Sequence, residues 1–213
     1  MSNHNKDRQG LVKYYQFTEQ TLVGSVNPGV SPPVIPTPIM GVNSLPTPTN
    51  VIPLPVGGIT LKRIRSKDRI ELIASVDWGF VASASLSNPF LSLVDFEQTV
   101  LLSIIRNDGK VVYQTADTAH ALLAVSPSTS TTLTSSQIFR TTTFQCDDTH
   151  VITCDHKAVY TLTIQALTPS ITLTSSTNAA PIVDFLQTNF SVFAFNFNGK
   201  VIDENPRKYR HQG

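Results

Sequence analysis

Charge is scarce in this sequence. Lys and Arg number 16 against 15 Asp and Glu, a net charge of +1, and charged residues fill 15% of the 213 positions, well under the roughly 25% of ordinary soluble domains. Without a basic excess there is no counterion release to drive nucleic-acid binding and no pull toward anionic lipid, so neither partner is expected. Ten glycines cannot supply one at every third position, which excludes a collagen-like triple helix. No apolar run approaches the 18 or so residues of a membrane span, and the opening MSNHNKDRQG has no apolar stretch behind its charges, so neither a transmembrane helix nor an export signal is expected. Helical periodicity is thin as well. Asn88 to Asp95 and Ala180 to Gln187 are the only weak candidates.

Thr and Ser occupy the room that charges leave, as in Ser126 to Ser136 and Thr168 to Thr177, and such a composition suits strands. With 40% hydrophobic residues a proper core is possible. Nine of the 14 prolines lie between Pro28 and Pro55. Proline fixes φ and removes a donor, so this segment is neither helix nor central strand and reads as a stiff, extended spacer. Its interleaved Val34, Ile35, Ile39, Met40, Leu45, Val51, Ile52 and Leu54 are more apolar than a solvated linker needs, which favours a strap lying on a protein surface. The sequence thus divides into an N-terminal arm (1–27), a proline-rich spacer (28–57), a main domain (58–203) and a polar tail (204–213).

Leu11 to Val26 is the only N-terminal stretch with core-forming character, with Leu11, Tyr15 and Phe17 on one strand face and Val12, Tyr14 and Leu22 on the other. A lone strand leaves its backbone groups unsatisfied, so the arm must pair with a sheet edge. In the main domain period-2 alternation dominates. From Ile70 to Leu86 the even positions form an unbroken apolar face, with a bend expected at Gly79. Thr99 to Ile105, Asn107-Asp108-Gly109 and Val111 to Thr115 read as a hairpin. Phe190 to Phe197, Asn198-Gly199 and Lys200 to Asp203 read as a second one. Ile138 to Phe144, Ala158 to Ala166 and Ile171 to Thr174 are further strands. The expected fold is all-β, an antiparallel jelly-roll β-sandwich carrying an extended N-terminal arm and a Pro-rich linker. Phe193, Phe195 and Phe197 alternate with Phe190, Val192 and Ala194, so the last strand looks apolar on both faces. A second cover is then needed, and a neighbouring subunit would make Phe190, Val192, Phe193, Phe195 and Phe197 a trimer interface.

The stretches DRIELIASVDWGF (Asp68 to Phe80), VLLSIIRNDGKVVYQTADT (Val100 to Thr118), TTTFQCDDT and KAVYTLTIQAL (within Thr141 to Leu167) resemble spore-surface proteins of spore-forming Firmicutes, the exosporium and endospore-appendage jelly rolls of the tumour-necrosis-factor-like kind. The resemblance implies a homotrimer built into a spore-surface layer or fibre, deposited there without a signal peptide, with itself and other spore-surface proteins as partners. The collagen-like repeats and the N-terminal cysteine cluster of some such proteins are absent.

Cys146 and Cys154 are the only cysteines. A disulfide closing a short loop, two separate thiols, or a metal site drawing on Asp147, Asp148, His150, Asp155 and His156 all remain open at this point, although CxxC and HxxxH spacings are missing. Neither a metal nor another cofactor is expected. No nucleophile–base–stabiliser set accompanies the histidines, His120 included, so catalysis is not expected. Burying the arm's apolar side chains roughly offsets the entropy of ordering it, so a single arm binds weakly and a trimer offering three binds by avidity. The expected function is a structural subunit whose arm augments a sheet in the next unit, head to tail, into a fibre. The alternative is a trimeric carbohydrate-binding or adhesive head anchored through its N-terminus.

Overall fold

A computed structural model describes residues 11–26, 54–87, 92–125, 134–149, 151, 155–175 and 182–203. They form nine strands: β1 (Leu11–Val26), β2 (Leu54–Lys62), β3 (Asp68–Ser87), β4 (Ser92–Arg106), β5 (Val111–Val125), β6 (Thr134–Thr149), β7 (Lys157–Ala166), β8 (Ser170–Ser175) and β9 (Ile182–Asp203). One antiparallel sheet has the order β1-β9-β3-β6, and the other β2-β7-β4-β5 with β8 also on β4. The two sheets make a β-sandwich.

Alternation builds its interior. In β3 every even position from Ile70 to Ala84 is buried, and these side chains meet Val94, Phe96, Val100, Leu102 and Ile104 of β4 and Ala158, Tyr160, Leu162 and Ile164 of β7 in one continuous core. Trp78 is wholly enclosed, which demands a partner for its indole N–H. The Nε1–H donates to Thr142 Oγ1 at 2.8 Å, and Thr142 in turn donates to Asp117 of the opposite sheet. The turn Asn107-Asp108-Gly109 joins β4 to β5 as its residues suggest: Gly109 sits at φ +84°, and its N–H donates to the Arg106 carbonyl at 2.9 Å. Strands β7 and β8 share the far edge of β4. The ladder breaks at Pro169, which has no N–H to give, and the buried Gln98 amide fills the gap by donating to the Leu167 carbonyl at 2.7 Å and the Thr99 carbonyl at 3.0 Å.

Four expectations need correction. First, Leu11–Val26 is no free arm. It pairs antiparallel with β9 of its own chain from Leu11↔Asp203 to Val26↔Val192. Lys13 Nζ lies 2.6 Å from Asp68 Oδ2, Gln16 Oε1 accepts the Thr60 N–H at 2.7 Å, and Tyr14 packs on the core. The physical reason is that β9 offers a long edge at hand, and closing a long loop costs little more than closing a short one. The side chains of Leu11 and Leu22 lie outside the described residues.

Second, β9 is not apolar on two faces. Its ladder with β3 slips between Asp77↔Ala194 and Trp78↔Val192, leaving Phe193 as the extra residue of a β-bulge. A bulge resets the alternation, so Phe190 and Val192 before it and Phe195 and Phe197 after it all point into the chain's own core. Phe193 and Ala194, at the bulge, are left half-exposed on the outside.

Third, Asn198-Gly199 is not a turn. Asn198 pairs with Ile73 and Gly199 with Leu72 in the middle of a continuous strand. Fourth, the described parts of both weak helix candidates are strand, residues 92–95 in β4 and 182–187 in β9; pairing on a long neighbour overrides marginal local propensity. The sandwich also starts earlier than Gly58, because β2 begins at Leu54. The remainder of the strap expected between Pro28 and Pro55 lies outside the described residues.

Candidate functional site

Exposed apolar side chains occur on both sheets, with Leu93, Val111 and Leu122 on β4 and β5, but the exposed aromatic ones, Tyr15, Phe17 and Phe139, all lie on the outer face of the four-stranded sheet. Its centre is polar: Glu71 Oε1 lies 2.7 Å from Lys200 Nζ, Arg69 Nη1 lies 2.9 Å from Asp147 Oδ2, and the Thr143 hydroxyl donates to Ser75 Oγ at 3.0 Å. The margins differ. On β1, Val12, Tyr15 and Phe17 are exposed by 51%, 57% and 44%. On β6, Phe139 is 61% exposed and leans on Phe193 with ring centroids 5.1 Å apart and planes at 52°.

Gly79 makes the second margin possible. It lies between these rings on β3, with a side chain at that position landing 3.1 Å from Phe193 Cε2. Both phenylalanines therefore lean over a strand that has nothing of its own to show. The result is an open depression lined by Asp77, Trp78, Phe139, Arg140, Thr141 and Phe193. Asp77 Oδ1 accepts from the Thr141 hydroxyl at 2.7 Å on its rim.

The sheet's two edges are as notable as its face. Among the described residues β1 and β6 are its outermost strands, with no ladder partner beyond them. Each is 16 residues long and free of proline. Natural edge strands are usually short, charged, bulged or proline-bearing to discourage pairing with another chain; β1 is irregular between Val12 and Tyr14 and between Thr21 and Val26, but its run from Tyr14 to Thr21 and the whole of β6 pair without a break. By contrast β2, an edge of the other sheet, carries Pro55.

One end of the sandwich holds a second cluster, around Asp148. This carboxylate is 2% exposed, lies 2.7 Å from Arg106 Nη1 and 3.4 Å from Lys110 Nζ, and accepts from the Tyr160 hydroxyl at 3.0 Å. Arg106 also grips Asp108, 2.7 Å away. That hydrogen bond, foremost, holds the Asp108 carboxyl down at about 2 and lifts the guanidinium above its usual value. Burial, and then Asp148, pushes the Tyr160 phenol up. With every group satisfied, the cluster serves as a staple joining β4, β6 and β7.

Asp148 is thereby committed to an ion network and not to the metal arrangement imagined around the cysteines. Among the described residues no group of three or more His, Cys, Asp or Glu converges on a metal site. Cys146 carries a free thiol against the core edge. Burial first, then Asp147 and Asp148, pushes it up to about 12, far from the range of a reactive thiolate. Cys154 and His150 lie outside the described residues. His156, at φ +53°, has its Nδ1 2.8 Å from the Ile64 carbonyl, while His120 faces Asp95 at 3.8 Å on the surface. The residues that sequence reasoning missed are Phe139 and Asp77, which alternation alone marks as ordinary outward positions.

No protein-family model and no curated protein matches the chain. Among solved structures it is similar to one titled "Structure of infectious bursal disease virus Gx strain", at 8% sequence identity and a TM-score of 0.19, covering 89% of this chain and 40% of that one. The chain spans less than half of that longer one, and so loose a superposition carries no argument about fold or function.

Proposed function

We propose that the protein is a non-enzymatic structural subunit that self-assembles by joining the β1 edge of one copy to the β6 edge of the next. The observation that carries this reading is the pair of long, proline-free edges on one sheet. Strand directions alternate through β1-β9-β3-β6, so a β1 placed beside another copy's β6 is antiparallel to it and prolongs the sheet. Such a contact is heterologous and repeats without using itself up, giving a filament or a large ring. Through β9 and β3, Tyr15 is level with Asp147 and Phe17 with Gln145, so a seam staggered by six to eight positions along β6 sets these exposed rings opposite Phe139, where cross-strand aromatic pairs stabilise by about 0.2–1 kcal/mol each.

Leu11–Val26 thus remains the inter-subunit element of the expected function, but as a strand already folded into its own sandwich. The strand order, with first and last strands adjacent and each sheet drawing on both halves of the chain, supports a jelly-roll reading. The resemblance to exosporium and endospore-appendage proteins supports placing the polymer on a spore surface as a fibre or layer. The trimer that the resemblance implies loses its phenylalanine interface, since four of those five side chains lie in the chain's own core.

Negative-stain microscopy and light scattering on the purified full chain test the reading. Polymers are expected from the native sequence, and soluble monomers with unchanged far-ultraviolet circular dichroism from Tyr15→Lys/Phe17→Lys and from Phe139→Lys. Mixing the two variants should give dimers only, because each retains one good edge. A native chain that stays monomeric at high concentration, or variants that still polymerise, would overturn it.

A further inference from the structure

We propose that the depression between Phe139 and Phe193 is the docking site of the chain's own proline-rich sequence, Pro28–Pro53. Three observations converge. The first is where the segment leaves and returns. Val26, the last residue of β1, pairs with Val192, the immediate neighbour of Phe193. Leu54 opens β2, and Gly57, three positions on, packs directly against the Phe195 ring. Residues 27–53 therefore leave from the edge of the four-stranded sheet beside Phe193 and return on β2 of the facing sheet, where Leu54 pairs with Ile164 a few residues before the Phe195 contact. A connection between such points needs only a handful of residues, and one this long in a compact domain calls for a use.

The second observation is reach. From β1 to β6 the outer face is three strand spacings, about 14 Å at ~4.8 Å each. A polyproline-like chain rises ~3.1 Å per residue, so about five residues cover that distance and the rest of the segment suffices to come back. The third is chemistry. Pro28 to Pro53 contains eight prolines, interleaved Val and Ile, and no charged residue. Proline-rich peptides dock in aromatic-lined grooves because their extended form is preformed and loses little entropy on binding. Phe139 and Phe193, tilted at 52°, offer such a groove, and the one nearby carboxylate, Asp77, is already engaged by Thr141.

Docked in this way, the segment covers apolar surface on the sheet's face while leaving the outer edges of β1 and β6 open. Both readings use the Phe139 ring, so it is the pattern of cross-links and of association together that separates them.

A photo-cross-linking experiment on the full chain tests it. A benzophenone side chain is placed at the exposed rim, Thr141→p-benzoylphenylalanine, and in a second chain in the groove itself, Phe193→p-benzoylphenylalanine. Irradiating a mixture of light and heavy isotope-labelled protein and mapping the linked peptides reads both the site and the chain of origin. Links from each probe to residues 28–53 of the same chain are expected, with a yield independent of protein concentration. Adding Phe139→Ala to the Thr141 probe should lower that yield about tenfold, the effect of losing roughly 1.4 kcal/mol of aromatic contact. Links to other parts of the chain, links only between chains, or no protein link from either probe in folded protein would each overturn the proposal. Protein that is monomeric yet cross-links within the chain would sink the assembly reading alone, and polymer without these links would sink this one alone.

Discussion

The Tyr160 hydroxyl donates to Asp148 Oδ2 at 3.0 Å inside the sandwich, and the same oxygen lies 2.7 Å from Arg106 Nη1. Strands β4, β6 and β7 thereby share one carboxylate. Removing it leaves a guanidinium that is itself only 12% exposed held by the exposed Asp108 alone. Breaking one side of such a buried pair costs about 3–5 kcal/mol, so Asp148→Ala should lower the free energy of unfolding by that much in urea titrations. Tyr160→Phe leaves the charge pair intact and removes one hydrogen bond to a charged acceptor, for a loss of roughly 1.5–3 kcal/mol. Equal losses in the two variants would show that the ion pair contributes nothing.

The bulge at Phe193 makes neighbouring phenylalanines energetically unequal. Phe197 is fully buried, and Phe197→Ala should cost about 3–5 kcal/mol. Phe193 rests on the outer face, so Phe193→Ala should cost less than about 1.5 kcal/mol, mostly its contact with Phe139. The comparison is made by thermal and chemical unfolding of each variant. A subunit interface over these side chains would instead make both variants fold stably and lose association.

These cases show why part of the molecule could be read directly and part could not. Alternation in β3 was legible because every even residue from Ile70 to Ala84 faces one core. The β4–β5 turn was legible because Asn107-Asp108-Gly109 acts locally. In β9 the same reading failed: a bulge is one unpaired residue, invisible without the partner strand, and it turned one buried face into two apparent apolar ones. Asn198-Gly199 misled for the opposite reason, a turn-like dipeptide held flat by a ladder to β3. The partner of β1 was a matter of long-range topology, so its strand character was readable but not the edge it occupies. The aromatic depression joins residues from β3, β6 and β9, and no local pattern could have announced it.

Two glycines in the central strands should respond differently to a methyl group. At Gly199 a Cβ would meet side-chain tips, Ile59 Cδ1 at 2.6 Å and Leu72 Cδ2 at 3.0 Å, which can rotate away at the cost of local overpacking. At Gly79 it would meet the Ile138 carbonyl oxygen at 2.2 Å, and a main-chain ladder cannot rotate. Gly199→Ala should therefore cost about 1–3 kcal/mol, while Gly79→Ala should cost more than that and loosen the β3–β6 pairing. Amide hydrogen exchange checks the second point: protection should fall first around Thr141 and Phe139. Uniform loss of protection over both sheets would show that Gly79 is not a local contact.

Alkaline stability should follow Cys146 first and, from about pH 10 upward, also Tyr160, whose phenol burial likewise pushes up. The Cys146 thiol ionises ordinarily near 9.0 and in the folded chain only at about 12, chiefly because burial disfavours the thiolate and secondarily because Asp147 and Asp148 repel it. The sign follows from linkage. A group whose folded value is raised stabilises fully below the unfolded value, and the contribution disappears as pH climbs through the interval between the two. Melting temperature should thus fall between about pH 9 and 12, and Cys146→Ala should flatten that fall while lowering stability at neutral pH through lost packing. Because the neutral thiol is a poor nucleophile, iodoacetamide at pH 8 should modify the Cys146 peptide far more slowly in native protein than in urea, as read by mass spectrometry. Rapid native labelling at pH 8 would mean that the thiol is neither sheltered nor held neutral, and the alkaline effect would then have to come from another group.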